Sequence, residues 1–479
     1  MKVRESATSF ATRLSLPTLE SSHKIGAIVL LMSKIGCFSY SGVGHVSPLL
    51  ALAVQLQKRG HDVTFFQLAD LKNRIEAAGI RYVPLGENEL PVGSLIRELE
   101  DLSQLEGTAA FERVIASVVR EARLVLRDAP ALIEDHGIDF LLVDECCDAA
   151  ATVARTRGIP FVSCALALTR YEDPSLPGWA CPLPYSDDPA IVTQYRVWSD
   201  AVSTAAAPLR EVVNAERQRF GLQPIQHVAE THSDLATISQ QPAAFDFPRQ
   251  ELPRSFHYTG PFIDAVGRPE VPFPWDQLDG RPLVYASLGT LQNQLPAVFH
   301  MIAEACAGLN VQLVMALGGG LQPEQLGTLA GDPLVFSYVP QPQLLDRAAL
   351  MITHAGMNST LECLASGVPM VAIPITHDQP TIARRIEWTK VGRMIALQEL
   401  TVERLQDAIH EVMTNPVYRD TATRLQQAIR EADGLNRAAD IVEMVIRTGK
   451  PVFREGTSGT ERYGAKGEIR LHTQFSNNG

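Results

Sequence analysis

Between residues 338 and 379 nearly every polar side chain falls where chemistry can use it. The apolar run 349–352 reads as a buried parallel strand. Thr353-His354-Ala355-Gly356 turns it into a helix that opens on Asn358-Ser359-Thr360-Leu361-Glu362. A strand running through a glycine turn into a helix presents unpaired main-chain N–H groups at the positive end of the helix dipole, which suits phosphate. His354, Asn358, Ser359 and Thr360 add side-chain donors around that point, and Glu362 is an acceptor for two vicinal hydroxyls. A second apolar run, 368–374, delivers His377-Asp378-Gln379, a polar triplet suited to sugar hydroxyls. One end of the stretch fits a diphosphate and the other a sugar.

A second constellation lies some 300 residues earlier. Gly42-x-Gly44 follows an apolar run at 35–40, but the third position of a dinucleotide fingerprint falls on Ser47, so that motif fits poorly. His45 sits on the turn between strand and helix, and Asp144 ends another apolar run, 139–144. A carboxylate that fixes one imidazole nitrogen leaves the other as a base near neutral pH, worth roughly 100- to 10,000-fold in rate. Taken singly, either residue reads equally well as a hydrogen bond that steadies a turn.

The elements that must position these residues alternate strand and helix. Apolar runs at 35–40, 63–66, 82–84, 139–144 and 159–164 are separated by helical periodicity, and the rhythm restarts with runs at 283–288, 311–317, 334–338, 349–352, 368–374 and 393–396. Repeated β-α-β units predict an α/β protein with parallel, doubly wound sheets. We divide the chain into an extension (1–31), an N-terminal domain (32–260), a Pro/Gly-rich linker (261–282), a C-terminal domain (283–447) whose last helix can return to the first domain, and a polar tail (448–479). Met32 stands directly before the first strand and reads as an alternative start. The segment 170–190, with five prolines, reads as a long loop over the active edge. Ligands of such domains bind in the crevice outside the carboxyl ends of the strands.

Composition narrows the class. Of the 479 residues, 46% are apolar and 20% charged, as in ordinary globular proteins. A net charge of −12 argues against nucleic acid and offers no polybasic surface to anionic lipid. The seven cysteines show neither disulfide framework nor metal spacing, which points to a cytoplasmic location. No apolar run is long enough to span a bilayer, which leaves peripheral membrane contact open. No D-x-D motif for a metal-bound diphosphate occurs.

GVGHVSPLL at 42–50, together with YVPQ, THAGMNSTLE and GVPMVAIPITHDQ within 338–379, resembles the family 1 glycosyltransferases that use UDP-sugars on lipophilic acceptors. These include plant secondary-product, animal glucuronosyl, and bacterial macrolide and carotenoid enzymes. The likeness runs from about Ser33 to Ile446. It implies the GT-B fold, two Rossmann-like doubly wound domains facing across a cleft. It also implies that Tyr338 stacks on the base where plant enzymes carry tryptophan, that Val339 bonds the base through its main chain, and that Gln341 and Glu362 hold the ribose. Thr290, His354, Gly356, Asn358 and Ser359 would hold the diphosphate, and Asp378 and Gln379 the sugar. His45 matches the family's base and Asp144 its orienting carboxylate.

Departures from the plant pattern (a shortening between Gln341 and His354, Ala355 for cysteine, Met357 for tryptophan) favour a bacterial branch. Glu362 favours UDP over dTDP, because only ribose offers it a 2′-hydroxyl. The implied reaction is a metal-independent, inverting transfer of a hexose, most simply glucose, with UDP-sugar as co-substrate and no cofactor. The acceptor is a lipophilic alcohol or phenol: carotenoid, terpenoid, polyketide or phenolic. Walls for it are sought in Tyr40–Val43, 107–120, the loop after Cys164 and 170–200, with Phe111, Leu166, Trp179 and Tyr185 as contacts and Leu168 and Trp198 beside them. The segments FDFPRQELPRSFHYTGPF and GHVSPLLALAVQLQKRGHDV look closest to bacterial carotenoid glucosyltransferases. Three rivals stand beside this reading. They are a UDP-sugar epimerase, which needs acids about the sugar, a non-catalytic relative, which has no use for His45, and a nicotinamide oxidoreductase, which needs the missing third glycine.

Overall fold

The chain is described from a computed structural model that covers residues 32–454 except 104, 106, 251, 265–267, 269 and 291–292. The expected extension 1–31 and positions 455–479 of the tail lie outside the described residues.

Two parallel sheets form. The first contains β1 (Lys34–Phe38), β2 (Asp62–Gln67), β3 (Arg81–Pro84), β4 (Phe140–Asp144), β5 (Phe161–Ala165), β6 (Thr237–Ser239) and β7 (Phe256–Tyr258), in the order β3-β2-β1-β4-β5-β6-β7. The second contains β8 (Leu283–Ser287), β9 (Gln312–Ala316), β10 (Leu334–Phe336), β11 (Ala348–Thr353), β12 (Met370–Ala372) and β13 (Gly392–Met394), in the order β10-β9-β8-β11-β12-β13. Both reverse direction once, between β1 and β4 and between β8 and β11. At such a reversal the connecting helices leave toward opposite faces and a crevice opens at the strand ends.

The near-continuous apolar character of the strands has a direct cause. Parallel strands covered on both faces by helices must be apolar on both. Alternate residues therefore enter different cores: Ile35, Cys37, Phe140 and Leu142 pack with Leu49, Leu52 and Leu56 of the helix Val43–Lys58. Phe38, Leu141 and Val143 pack on the other face, against Val125, Ala129 and Ile133 of the helix Gly107–Asp135. Strands β6 and β7, three residues each, escaped the sequence reading because the polar Thr237, Ser239 and His257 interrupt their short apolar runs. The proline-rich loop ends where Asp188 caps the helix Pro189–Ala205, its Oδ1 accepting from Ala190 N at 2.8 Å.

Among the contacts that join the halves, two involve buried groups of both. The last helix, Gly434–Thr448, lays Ala438, Val442 and Val445 into the core beneath the helix Val43–Lys58. Arg59 donates to Asp440 and Glu443 at 2.6 and 3.1 Å along the same seam. The chain then pairs with the first half again, Val452 N donating to Leu235 O at 2.9 Å. The other contact is electrostatic. Arg385, of the helix Gln379–Trp388, is 1% exposed and donates to Asp246 Oδ1 through Nη2 at 2.8 Å and Nε at 3.1 Å. Arg249 Nε (2.7 Å) and Tyr258 OH (2.6 Å) donate to Asp246 Oδ2. Burial pushes the Asp246 carboxyl upward, but Arg249 and Arg385 hold it well below the usual carboxylate range.

All seven cysteines are free thiols. Among the described residues, no helix is long and apolar enough to cross a membrane.

Removing one partner of a buried ion pair leaves the other uncompensated, at about 3–5 kcal/mol. Asp246→Asn is accordingly expected to destabilise the protein by about that much at pH 7, measured by urea unfolding. A loss below about 1 kcal/mol would show that the pair does not hold the halves together.

Candidate active site

The two reversal points carry the two constellations. At the first, β1 ends and the chain turns through Gly42 into the helix that bears His45, while β4 ends on Asp144. The side chains meet, His45 Nδ1 to Asp144 Oδ2, at 2.8 Å. Asp144 is 1% exposed, and its oxygens also accept from Tyr40 N (3.1 Å) and Cys146 N (3.0 Å). Fixed by main-chain donors, the carboxylate accepts from Nδ1–H and leaves Nε2 with its lone pair free. The His45 side chain stays 18% exposed, so a substrate can reach that nitrogen. Burial lowers the imidazole pKa, but the charge and hydrogen bond of Asp144, with Asp378 and Glu121 farther off, outweigh burial and leave it raised. Glu145, one residue along, turns the other way and accepts from Thr169 and Arg170.

At the second reversal, β8 ends at Gly289-Thr290 and β11 runs through Ala355 (φ +63°) into the helix Met357–Ser366. His354 fills the space between the two turns. A Cβ on Gly289 would stand 2.5 Å from its Nε2 and one on Gly356 2.4 Å, so both positions need glycine. Burial pushes His354 down to about 4, so near pH 7 it is a neutral hydrogen-bonding group, not a cation. Thr290 and Tyr338 are exposed, Tyr338 at 55%. Val339 is half-buried beside it.

Gln341, Ser359 and Glu362 form one network. Tyr285 OH donates to Gln341 Oε1 at 2.8 Å, and Gln341 Nε2 donates to Glu362 Oε2 at 2.7 Å and lies 3.5 Å from Ser359 Oγ. The other oxygen of Glu362 accepts from Arg268 at 2.5 Å. Asn358 spans the halves, its Nδ2 donating to Gly44 O at 2.9 Å. Ser47, Arg74, Gln240, Arg268, Asn358 and Glu362 line an interdomain cleft of about 410 Å³.

Beyond β12, His377 (φ +56°) and Asp378 enter the field of His45. Burial first and then His45 lower His377 to about 4. Burial raises Asp378 despite the opposing pull of His45. Gln379 is buried, and its Oε1 accepts from Ile375 N and Thr376 N, which shapes the turn.

The four expected acceptor contacts separate. Phe111 and Trp179 meet, their ring centroids 5.7 Å apart, and Trp198 Nε1 donates to Trp179 O at 3.0 Å. Tyr185 stacks instead on Phe247 and meets Trp388 edge-on. Leu166 is packed in the core of the first half. None of the four lines the small cavity that adjoins the dyad, whose walls include Tyr40, Leu68, Val118, Glu121, Val125 and Cys146. Glu121 there accepts from Ser41 Oγ at 2.5 Å, and burial raises its carboxyl to about 7. Gln240, Arg268 and Glu121 escaped the sequence reading because none belongs to a motif; only the fold brings them to the crevice. Cys146 adds a third group near the dyad: its Sγ and the ligand atoms of His45 and Asp144 lie within 4.8 Å of one another.

Residues 224–456 match the family described as UDP-glucoronosyl and UDP-glucosyl transferase, and residues 41–136 match the glycosyltransferase family 28 N-terminal domain. A zeaxanthin glucosyltransferase of Pantoea ananas is 32% identical over 424 residues, covering 88% of this chain and 98% of that one. A demethyllactenocin mycarosyltransferase of Streptomyces fradiae is 28% identical, covering 87% of each chain. Among solved structures, the calicheamicin glycosyltransferase superposes with a TM-score of 0.67 at 23% identity, covering 88% of this chain and 100% of that one. Two parallel-stranded sheets with this likeness constitute the GT-B fold.

In Asp144→Asn the charge that does most to raise His45 is removed and burial remains, so the imidazole pKa should fall below its wild-type value. NMR titration of His45 measures this directly; an unchanged or higher value would contradict the electrostatic coupling.

Proposed function

Because the chain belongs to the family of UDP-glucuronosyl and UDP-glucosyl transferases, we propose that it transfers a hexose, in the first instance glucose, from a UDP-sugar to a hydroxyl of a lipophilic small molecule. The observation that carries this reading is the His45–Asp144 pair at one reversal point, within electrostatic reach of Asp378, the N-cap residue of the helix Gln379–Trp388 of the other half. His45 Nε2 takes the acceptor proton as Nδ1–H is held by Asp144. The freed oxygen attacks the anomeric carbon from the face opposite UDP, the bond to the diphosphate breaks, and configuration inverts. The leaving diphosphate is stabilised by the N–H groups that open the helix Met357–Ser366, with Thr290, His354, Gly356, Asn358 and Ser359 around it. Tyr338 and Val339 take the base, Gln341 and Glu362 the ribose, and Asp378 and Gln379 the sugar. In this reading no metal takes part, and helix N–H groups and side chains carry the phosphate charge.

The cavity walled by Leu68, Leu85, Val118, Leu124 and Val125 supports a lipophilic acceptor. The kinship with a zeaxanthin glucosyltransferase supports a carotenoid or a similar terpenoid alcohol. We further propose a cytoplasmic location, consistent with seven unpaired cysteines. An epimerase is not favoured, since named glucosyltransferase relatives span nearly the whole chain.

Incubation with UDP-glucose and a panel of lipophilic alcohols and phenols, zeaxanthin among them, without added metal, should release UDP and yield a β-glucoside by NMR. His45→Ala should abolish transfer and leave UDP binding intact. A product retaining the α-configuration, or undiminished turnover in the variant, would rule the mechanism out. Glu362→Ala should weaken UDP by about tenfold or more, the loss of a hydrogen bond to a charged group, and weaken dTDP by less. Equal losses would show that Glu362 does not meet the 2′-hydroxyl.

A further inference from the structure

The base sits on the N-terminal half and the sugar donor on the C-terminal half, so their alignment must be set by contacts across the seam close to the reacting atoms. One such chain of hydrogen bonds starts at Gln240, which follows β6 and is 2% exposed. Its main-chain N donates to Ala165 O at 3.2 Å. Its Nε2 donates both to Leu166 O and, at 3.0 Å, to Asn358 Oδ1. Asn358 lies in the first turn of the helix Met357–Ser366, and its Nδ2 donates to Gly44 O at 2.9 Å. Gly44 immediately precedes His45.

The direction of every bond in this chain follows from chemistry. Both ends are main-chain carbonyls, which only accept, so Gln240 must present its NH₂ to Leu166 and Asn358 its NH₂ to Gly44. Asn358 Oδ1 is then the one atom that can receive the second hydrogen of Gln240. One hydrogen on Asn358 Nδ2 remains for a phosphate oxygen, so this role adds to the diphosphate contact and does not displace it.

We propose that Gln240 is a positioning residue for the transfer. It holds Asn358, and through Asn358 it fixes the N-terminus of the diphosphate-binding helix against the turn that carries His45. The inference rests on the reading of that helix as the donor site and of His45 as the base. Without Gln240 the Asn358 amide is free to rotate away from Gly44, and the two halves of the reaction lose their mutual registration. Binding of the nucleotide, which lies wholly on the C-terminal half, does not need that registration.

The test compares Gln240→Met, which keeps length and removes both donors, with Asn358→Ala and the double variant. UDP-glucose and the panel alcohol that turns over fastest serve as substrates. Thermal melting verifies folding, and calorimetry gives the UDP Kd. Gln240→Met should lose about tenfold to a hundredfold in kcat, the scale of a sub-ångström to ångström misplacement, with UDP Kd within about twofold of wild type. In the Asn358→Ala background it should add no more than about twofold. Unchanged kcat, losses that multiply in the double variant, or UDP affinity falling in step with kcat would each overturn the proposal. Absence of UDP binding or of glucoside formation by the wild type is a separate result: it removes the reading of the site, and this inference with it.

Discussion

A fully buried arginine does not persist without a carboxylate, and Arg385 finds one on the other half of the molecule. Asp246 reaches it from the segment between β6 and β7, steadied by Arg249 and Tyr258. Phe247 lies under the guanidinium, 4.2 Å from ring centroid to Cζ, and stacks in turn on Tyr185. This pairing has a functional consequence. The helix that carries Arg385 begins at Gln379, directly after Asp378, so the same element that locks the seam holds Asp378 within electrostatic reach of His45.

The chemistry follows from two strand reversals. In each sheet the reversal opens a crevice at the carboxyl ends, and in each the turns and helix starts there carry the candidate site residues. On one side a rigid carboxylate raises an imidazole and leaves one nitrogen exposed. On the other, a neutral histidine wedged between two glycines and a helix N-terminus offer hydrogen bonds without a fixed cation. The acid expected to meet ribose is engaged by Gln341 and Arg268. Under the proposed function, ribose hydroxyls would have to share that carboxylate or replace the arginine.

Much of this was legible in the residues. Apolar runs on the parallel pattern located the strands of both sheets except β6 and β7. The glycine turn before Asn358, the turn that leads to His45 and the strand-end position of Asp144 were visible because their spacing is local: a few residues decide a turn, a strand end or a helix start. The acceptor side was far less legible. Phe111, Trp179 and Tyr185 are alike as aromatic loop residues, yet Tyr185 went to the seam with Phe247 and Trp388, and Leu166 to the core. Side chains on long loops have no period, so composition gives no direction for them.

The amino-acid sequence by itself determined the doubly wound class, the local motifs that carry the candidate residues and the kinship that names their chemistry, since each rests on residues close together in the chain. Tertiary structure alone decided what meets across the molecule. It brought His45 to Asp144 over 99 residues, Asp246 to Arg385 over 139, and Gln240 to Asn358 over 118. It also chose Tyr40, Val118 and Glu121 for the walls of the cavity beside the dyad. The physical reason is that such pairings depend on how twisted sheets and their helices stack, a property of the packed whole that no local pattern encodes.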